Sequence, residues 1–402
     1  MSRATWNFRH PLTVALSLLL GIAFIVVAQP PRGRGGARGP RGDATLASNP
    51  FKGVTSGGKI EKGLFKIAST GVTTEPVMNA ANAFLGSLSK EQVAQTKFEV
   101  DDLEWRKWDN RHFYKRQGVG FDEMNEEQRK LAFGLMKSSL SAKGLKLSQD
   151  IMKLNGTLAE LADDFDEYGE WLYWITIMGE PSKTEPWGWQ IDGHHLIVNY
   201  FVLGDQVVMS PVFVGSEPVI ATSGKFKGTA VLQEEQNKGL EFVLTLDDAQ
   251  RKQAIIKTSK PGNDILTQAY TDNIDLDYAG IPDSKLSEQQ SAKLLEVIQL
   301  YVGNMDDAHA KVKMSEVKRH LDRTYFAWIG ETTDKSVYYY RIHSPVLLIE
   351  FDHERRVAPF RSREPSRDHI HAVLRTPNGN DYGKDLLRQH YELHHKGKAH
   401  TH

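Results

Sequence analysis

Residues 187–214, WGWQIDGHHLIVNYFVLGDQVVMSPVFV, decide how the chain is read. They hold two or three runs of aromatic, β-branched and aliphatic residues. Gly204-Asp205 separates HHLIVNYFVL from QVVMSPVFV and reads as a hairpin turn between two strands. Working outward, further strands are expected over 170–178, 239–246, 324–330, 337–343, 346–351 and 369–375. Between these groups lie helix starts. Ser89, Asn125 and Ser287 each stand three residues before a glutamine (Gln92, Gln128 and Gln290), the spacing of a capping box. The second of these helices shows Leu131, Leu135, Met136 and Leu140 at helical spacing, with Gly144 as its expected stop. Two more helices are expected over about 150–165 and 306–321. Helices, strands, helices, strands is the order of an α+β protein. The fold predicted is a single large domain with a mainly antiparallel sheet flanked by helices. No fixed-period repeat stands out, and no GxGxxG, GxxxxGK[ST] or GxSxG motif occurs in a supporting context.

The chain has 402 residues and a net charge of −1, which hides an asymmetry. The first 50 residues hold six arginines (3, 9, 32, 34, 38 and 41) and no lysine, against Asp43 alone, so the remainder is mildly acidic. An acidic body offers no electrostatic footprint for nucleic acid. Cysteine is absent, which excludes disulfides, thiolate zinc sites, iron–sulfur clusters and cysteine nucleophiles. Arg3, Arg9 and His10 precede an uncharged run over 12–28, LTVALSLLLGIAFIVVA. This is the pattern of a secretory signal peptide, cleaved near Ala28, with an uncleaved membrane anchor as the alternative. Residues 29–50 are rich in Gly, Pro and Arg and read as a flexible linker. The single α+β domain is expected over 51–392, followed by a histidine-rich tail over 393–402. The expected location is the exterior of the cytoplasm: periplasmic, secreted or anchored on the outer side.

Chemistry concentrates in a few polar motifs. His369-Ile370-His371 on a strand puts both imidazoles on one face, where they can converge on one ion. His194-His195 opens a strand after the Asp192-Gly193 turn, so one of the two rings would face a given pocket unless the strand is bulged. Glu350 and Asp352 share one face of the preceding strand. Glu350, after an apolar run, is the better candidate to complete a metal set of His194 or His195, Glu350, His369 and His371. The opposing reading ties each histidine to a backbone carbonyl. Arg375 and Asp381 flank the Pro377-Asn-Gly379 turn, where Arg375 can clamp an anionic substrate group and Asp381 can orient a histidine; alternatively the two pair with each other. Trp187, Trp189, Gln190 and Tyr340 are candidates for the wall of a small-molecule pocket. The cofactor expected is a divalent metal, zinc or iron. The function expected is a metal-dependent hydrolase or oxidoreductase, with a non-catalytic small-molecule binding module as the competing reading.

Several stretches carry a family resemblance: FDEMNEEQRKLAFGLMKSSL (121–140), GEPSKTEPWGWQIDGHHLIVN (179–199), PVFVGSEP (211–218), VLLIEFDH (346–353) and DHIHAVLRTPNGNDYGKDLLRQHY (368–391). Together they resemble the family known as domain of unknown function 3500, over roughly residues 75–392. The resemblance implies one exported domain and assigns no reaction.

Overall fold

The computed structural model describes residues 49–357 and 359–394. The expected signal segment, nearly all of the linker and the tail beyond residue 394 lie outside them. Among the described residues, twelve strands form one sheet. They are β1 (Lys97–Phe98), β2 (Val119–Gly120), β3 (Tyr173–Met178), β4 (Trp187–Gly193), β5 (Leu196–Leu203), β6 (Gln206–Ser216), β7 (Ile255–Lys257), β8 (Ile281–Pro282), β9 (Tyr325–Gly330), β10 (Tyr338–His343), β11 (Leu348–Arg355) and β12 (Pro365–Arg375). The sheet order is β1-β3-β4-β5-β6-β12-β11-β10-β9-β7, with β2 and β8 pairing outside this path with β3 and β9. Only the short edge pairs β1·β3 and β7·β9 are parallel, so the expected α+β class with a mainly antiparallel sheet holds.

The helices come in pairs: α1 (Glu75–Ser87) with α2 (Lys90–Thr96), α3 (Glu126–Ser139) with α4 (Ala142–Ala162), α5 (Gln233–Leu244) with α6 (Asp248–Ala254), and α7 (Glu288–Val302) with α8 (Asp307–Arg319). A last helix, α9, spans Lys384–His394. The three expected capping boxes are all formed, and a fourth, Asp247 with Gln250, starts α6.

Read in order, the chain runs twice through one plan: two helices, two short strands, two helices, four antiparallel strands. In both passes the first short strand pairs parallel, and the second antiparallel, with the strand that opens the four. The capping boxes correspond too, Ser89 with Asp247 and Asn125 with Ser287. The sequence reading missed this repeat because it lies in the order of elements, with no short period of residues to betray it. The last strands of the two passes, β6 and β12, pair antiparallel with Phe213 opposite Val373. Antiparallel pairing of equivalent strands places a local two-fold axis there. The helix corners meet across it as well: Leu140 bridges Met305, and the amides of Ser141 and Asp306 donate to the carbonyls of Asn304 and Ser139.

Three local expectations are corrected. Residues 239–246 form the end of α5 and the turn after it, because Leu240, Phe242 and Val243 are buried on a helical face. Gly144 does not end α3; it lies inside α4, where a Cβ would stand 2.1 Å from the Asn304 carbonyl oxygen, so the corner contact requires glycine. His194 and His195 do not open a strand; they form the two-residue turn between β4 and β5.

The candidate pocket wall belongs to the interior. Trp187 and Trp189 are fully buried and donate to the Ser182 carbonyl and to Ser139 Oγ. Gln190 Nε2 bonds Asn199 Oδ1 at 2.6 Å and the Trp105 carbonyl. Tyr340 stacks on Phe351, and its hydroxyl meets Tyr301 and the Glu235 carbonyl. Arg375 and Asp381 pair with each other at 2.9 Å, both fully buried. The guanidinium also donates to the carbonyls of Thr267 and Gln268 and faces Trp108, while Asp381 accepts from Thr376 N and Ser210 Oγ. With each of its three guanidinium nitrogens engaged in pinning loops, Arg375 is not offered to a substrate.

Two outcomes follow for stability. Arg375→Met leaves Asp381 buried without its partner and is expected to cost about 3–5 kcal/mol in urea unfolding, since one half of a buried ion pair is costly to strand. An unchanged midpoint would show the pair to be unimportant. His343 is buried against Tyr278, and burial, with Arg341 beside it, pushes its pKa down to about 3. Its unfolded value is near 6.5, so as pH falls from there the unfolded chain takes up a proton that the folded chain refuses until about pH 3. Stability is therefore expected to decline with acid across that window, and His343→Gln should flatten the decline.

Candidate metal centre

The β4–β5 turn carries the first ligand. Gly193 pairs directly with Leu196, so the turn holds only His194 and His195. His195 has φ +64°, a left-handed conformation that an L-residue adopts at a cost and that clusters at functional positions. The turn is tied down on three sides. Tyr173 Oη donates to the His194 carbonyl, His195 N to the Asn110 carbonyl, and Gly215 N to the His195 carbonyl. Both rings fall on one side and stack at 3.9 Å between centroids. His194 Nδ1 bonds Asn155 Oδ1 of α4 at 2.8 Å.

The other two ligands come from β12, where His369 and His371 share a face as their spacing requires. His369 Nε2 lies 2.9 Å from His371 Nε2 and 3.3 Å from His195 Nε2. The ligand atoms of the three rings all fall within 4.8 Å of one another. A tetrahedral ion with metal–nitrogen bonds of about 2.0–2.1 Å spaces its ligand nitrogens by roughly 3.3–3.4 Å, so small rotations suffice. Gly215 lies opposite His371 on β6. A Cβ there would sit 2.7 Å from the Ile370 carbonyl oxygen, 2.9 Å from His371 Cδ2 and 3.2 Å from His195 Cδ2, so the missing side chain makes room for the neighbouring strand and for both rings.

The partner of the other ring nitrogen fixes the tautomer of His369. His369 Nδ1 donates to the Arg355 carbonyl at 2.7 Å, and His371 Nδ1 lies 3.0 Å from Glu354 Oε1. His369 Nδ1 therefore carries hydrogen, and its Nε2 presents a lone pair toward His371 Nε2 and His195 Nε2. Burial holds His194 and His195 well below the usual imidazole range, with neighbouring rings adding to the effect. Burial, and then His371, takes His369 down to about 3. The buried group of His195, His369 and His371 could hold a metal ion.

Glu350 does not join it. The carboxylates of β11 alternate on the face that carries His369 and His371, and all three hold down the 260–267 segment. Glu350 accepts from the amides of Leu266 and Thr267, from Thr267 Oγ1 and from Tyr339 Oη. Asp352 pairs with Lys260 at 2.7 Å and accepts from Asp264 N. Only the third, Glu354, reaches the site, and Asn263 Nδ2 holds its second oxygen. Burial would raise the Glu354 pKa, but His371, His369 and Lys260 outweigh it and keep the carboxyl below its ordinary value. Glu354 was legible as the next alternate residue of Glu350-Phe-Asp352-His-Glu354. Glu217, 3.7 Å from His369 Nδ1, sits in the motif PVFVGSEP and is held by Arg356 Nε and Val357 N. At the rim, His112 bonds Glu167 and faces the His194 ring at 5.4 Å; both partners keep partial solvent exposure.

No curated protein and no solved structure matches the chain. The family described as "Protein of unknown function (DUF3500)" matches residues 70–384, which include the turn histidines, Glu217, Glu354 and the His369–His371 strand. That match spans most of the sequence, and the chain belongs to the DUF3500 family.

Proposed function

We propose that His195, His369 and His371 bind a divalent cation, zinc in the first instance, and that the protein is a metal-dependent hydrolase. One observation carries the reading: the ligand nitrogens of three buried histidines, brought together from both passes of the chain, lie within 4.8 Å of one another. A cation coordinated there would satisfy all three. Three neutral imidazoles with no carboxylate ligand match catalytic zinc, which keeps a fourth position for water, better than the two-histidine, one-carboxylate set of non-haem iron. Such an ion would supply a Lewis acid and a water acidified toward neutral pH. The chain's own groups do the rest. Glu354 fixes the His371 ring and raises its basicity, and the Arg355 carbonyl does the same for His369. His112, backed by Glu167 and facing the His194 ring at the rim, would exchange a proton with bulk water. The uncharged run over 12–28 supports export of the chain, and a reporter fused after residue 50 that stays in the cytoplasm would overturn that part alone.

Purified protein is expected to retain about one equivalent of zinc per chain, by the three-ligand rule for catalytic sites. Chelation should lower the melting temperature and added zinc restore it, because a ligand of the native state alone stabilises that state. His369→Ala and His371→Ala should abolish retention. A preparation free of transition metals whose melting point responds to neither zinc nor chelator would sink the proposal. Glu354→Gln should fold normally and weaken zinc binding about 10- to 100-fold, the usual cost of losing a group that orients a ligand. Gly215→Ala should displace His371 and His195 and weaken binding to a similar degree while His194 keeps its bond to Asn155; unchanged affinity would show that the rings do not depend on that gap.

A further inference from the structure

The local two-fold gives the histidine site a counterpart. The site lies where the end of β6 (Gly215), with Glu217 just beyond it, meets the start of the paired part of β12 (His369, His371), against the later turns of α4 (Asn155). The equivalent place in the other pass is where the start of β6 meets the end of β12, against the later turns of α8. A cavity of about 790 Å³ opens there, lined by Gln206 to Met209 of β6, by Leu374 and Thr376, and by α8 from His309 to Arg319. That volume is within the range of small-molecule sites, about 300–1,000 Å³. It holds no cluster of metal ligands among the described residues, and its chemistry differs from that of its counterpart.

The floor is apolar: Phe65, Val208, Met209, Val302, Met305 and Leu374 all face it and are largely buried. The rim is basic. Lys66 and Arg319 both line the opening, and neither side chain has a hydrogen-bond or ion-pair partner among the described residues. Lys313 also lines it; its ammonium group is satisfied by Glu316, the rim's single acid, and by the Val346 carbonyl. Ser69, Thr70 and His320 add polar groups at the same edge. Apolar walls below two uncommitted cations define an amphiphile with an anionic head.

We propose that this cavity is a second ligand site, which takes a small amphiphilic anion: an alkyl or acyl chain on the apolar floor and a carboxylate or phosphate between Lys66 and Arg319. The site needs neither the metal nor the histidines.

Isothermal titration of the full chain with dodecanoate, dodecyl phosphate, dodecanol and inorganic phosphate tests it. One of the two anionic amphiphiles, or both, should bind saturably at one site, and which one binds tells whether the head is carboxylate or phosphate. Dodecanol and inorganic phosphate should bind far more weakly. Lys66→Gln combined with Arg319→Gln should weaken the anionic amphiphile roughly tenfold, the scale of two charge-assisted contacts at a partly exposed rim. Val312→Trp, at a half-exposed position on the cavity wall, should block binding while leaving the fold and zinc content unchanged. The proposal fails if no amphiphile binds, if dodecanol binds as well as the anions, if inorganic phosphate alone binds as tightly, or if the double variant binds the anions unchanged.

Discussion

The pairing of β6 with β12 is the contact through which everything else acquires its position. Each four-stranded run is a meander that local hairpins can build unaided. Neither run alone brings the turn histidines near the β12 histidines. Only when Ile370 pairs with Ser216 and Leu374 with Val212 do the two ends of the chain share a register. Register in a half-buried sheet is specified strongly, because a slip of one residue sends every side chain to the opposite face. Here a slip would turn His369 and His371 into the layer that holds Ile370 and Ala372, against the helices. The helix corners at Leu140 and Met305 reinforce the same alignment from a second layer.

The polar interior shows a division of labour along a single strand. Glu350, Asp352 and Glu354 follow one another on one face of β11, chemically similar and about 6–7 Å apart along the strand. Two of them bind backbone amides and a lysine of the 260–267 segment, and the third divides its oxygens between Asn263 of that segment and a histidine. The segment crosses that face because its amides and Lys260 find carboxylates there, and it covers the floor beside the imidazoles. Structural and chemical carboxylates differ by neighbour and not by type.

The same dependence on neighbours separates the legible residues from the illegible ones. Periodicity exposed the strands, caps exposed the helices, and the His369–His371 spacing carried its own geometry because alternation on a strand is a local rule. The β4–β5 turn was misplaced by two residues because Asp192-Gly193 is the better turn dipeptide, and no local rule favours a histidine at positive φ. Glu350 was preferred over Glu354 because burial was inferred from the apolar run before it; burial was right, but the partner was a distant loop. Arg375 with Asp381, and the tryptophans, were legible as polar or aromatic residues near the right strands. Whether such groups face a ligand or the core depends on long-range packing, which a single sequence does not display. The repeated plan was hidden for the same reason: the two halves agree in topology while their residues differ.

The ligands proposed for the ion come from both passes of the chain, His195 from the first and His369 and His371 from the second. A cation held by them is therefore a clasp across the seam between the halves, closing a loop that spans 174 residues from His195 to His369. Loops of that length are expensive to close by chance and gain correspondingly from a cross-link. The seam and the chemistry would then stand or fall together: an intact centre would be a report that both halves have folded and docked.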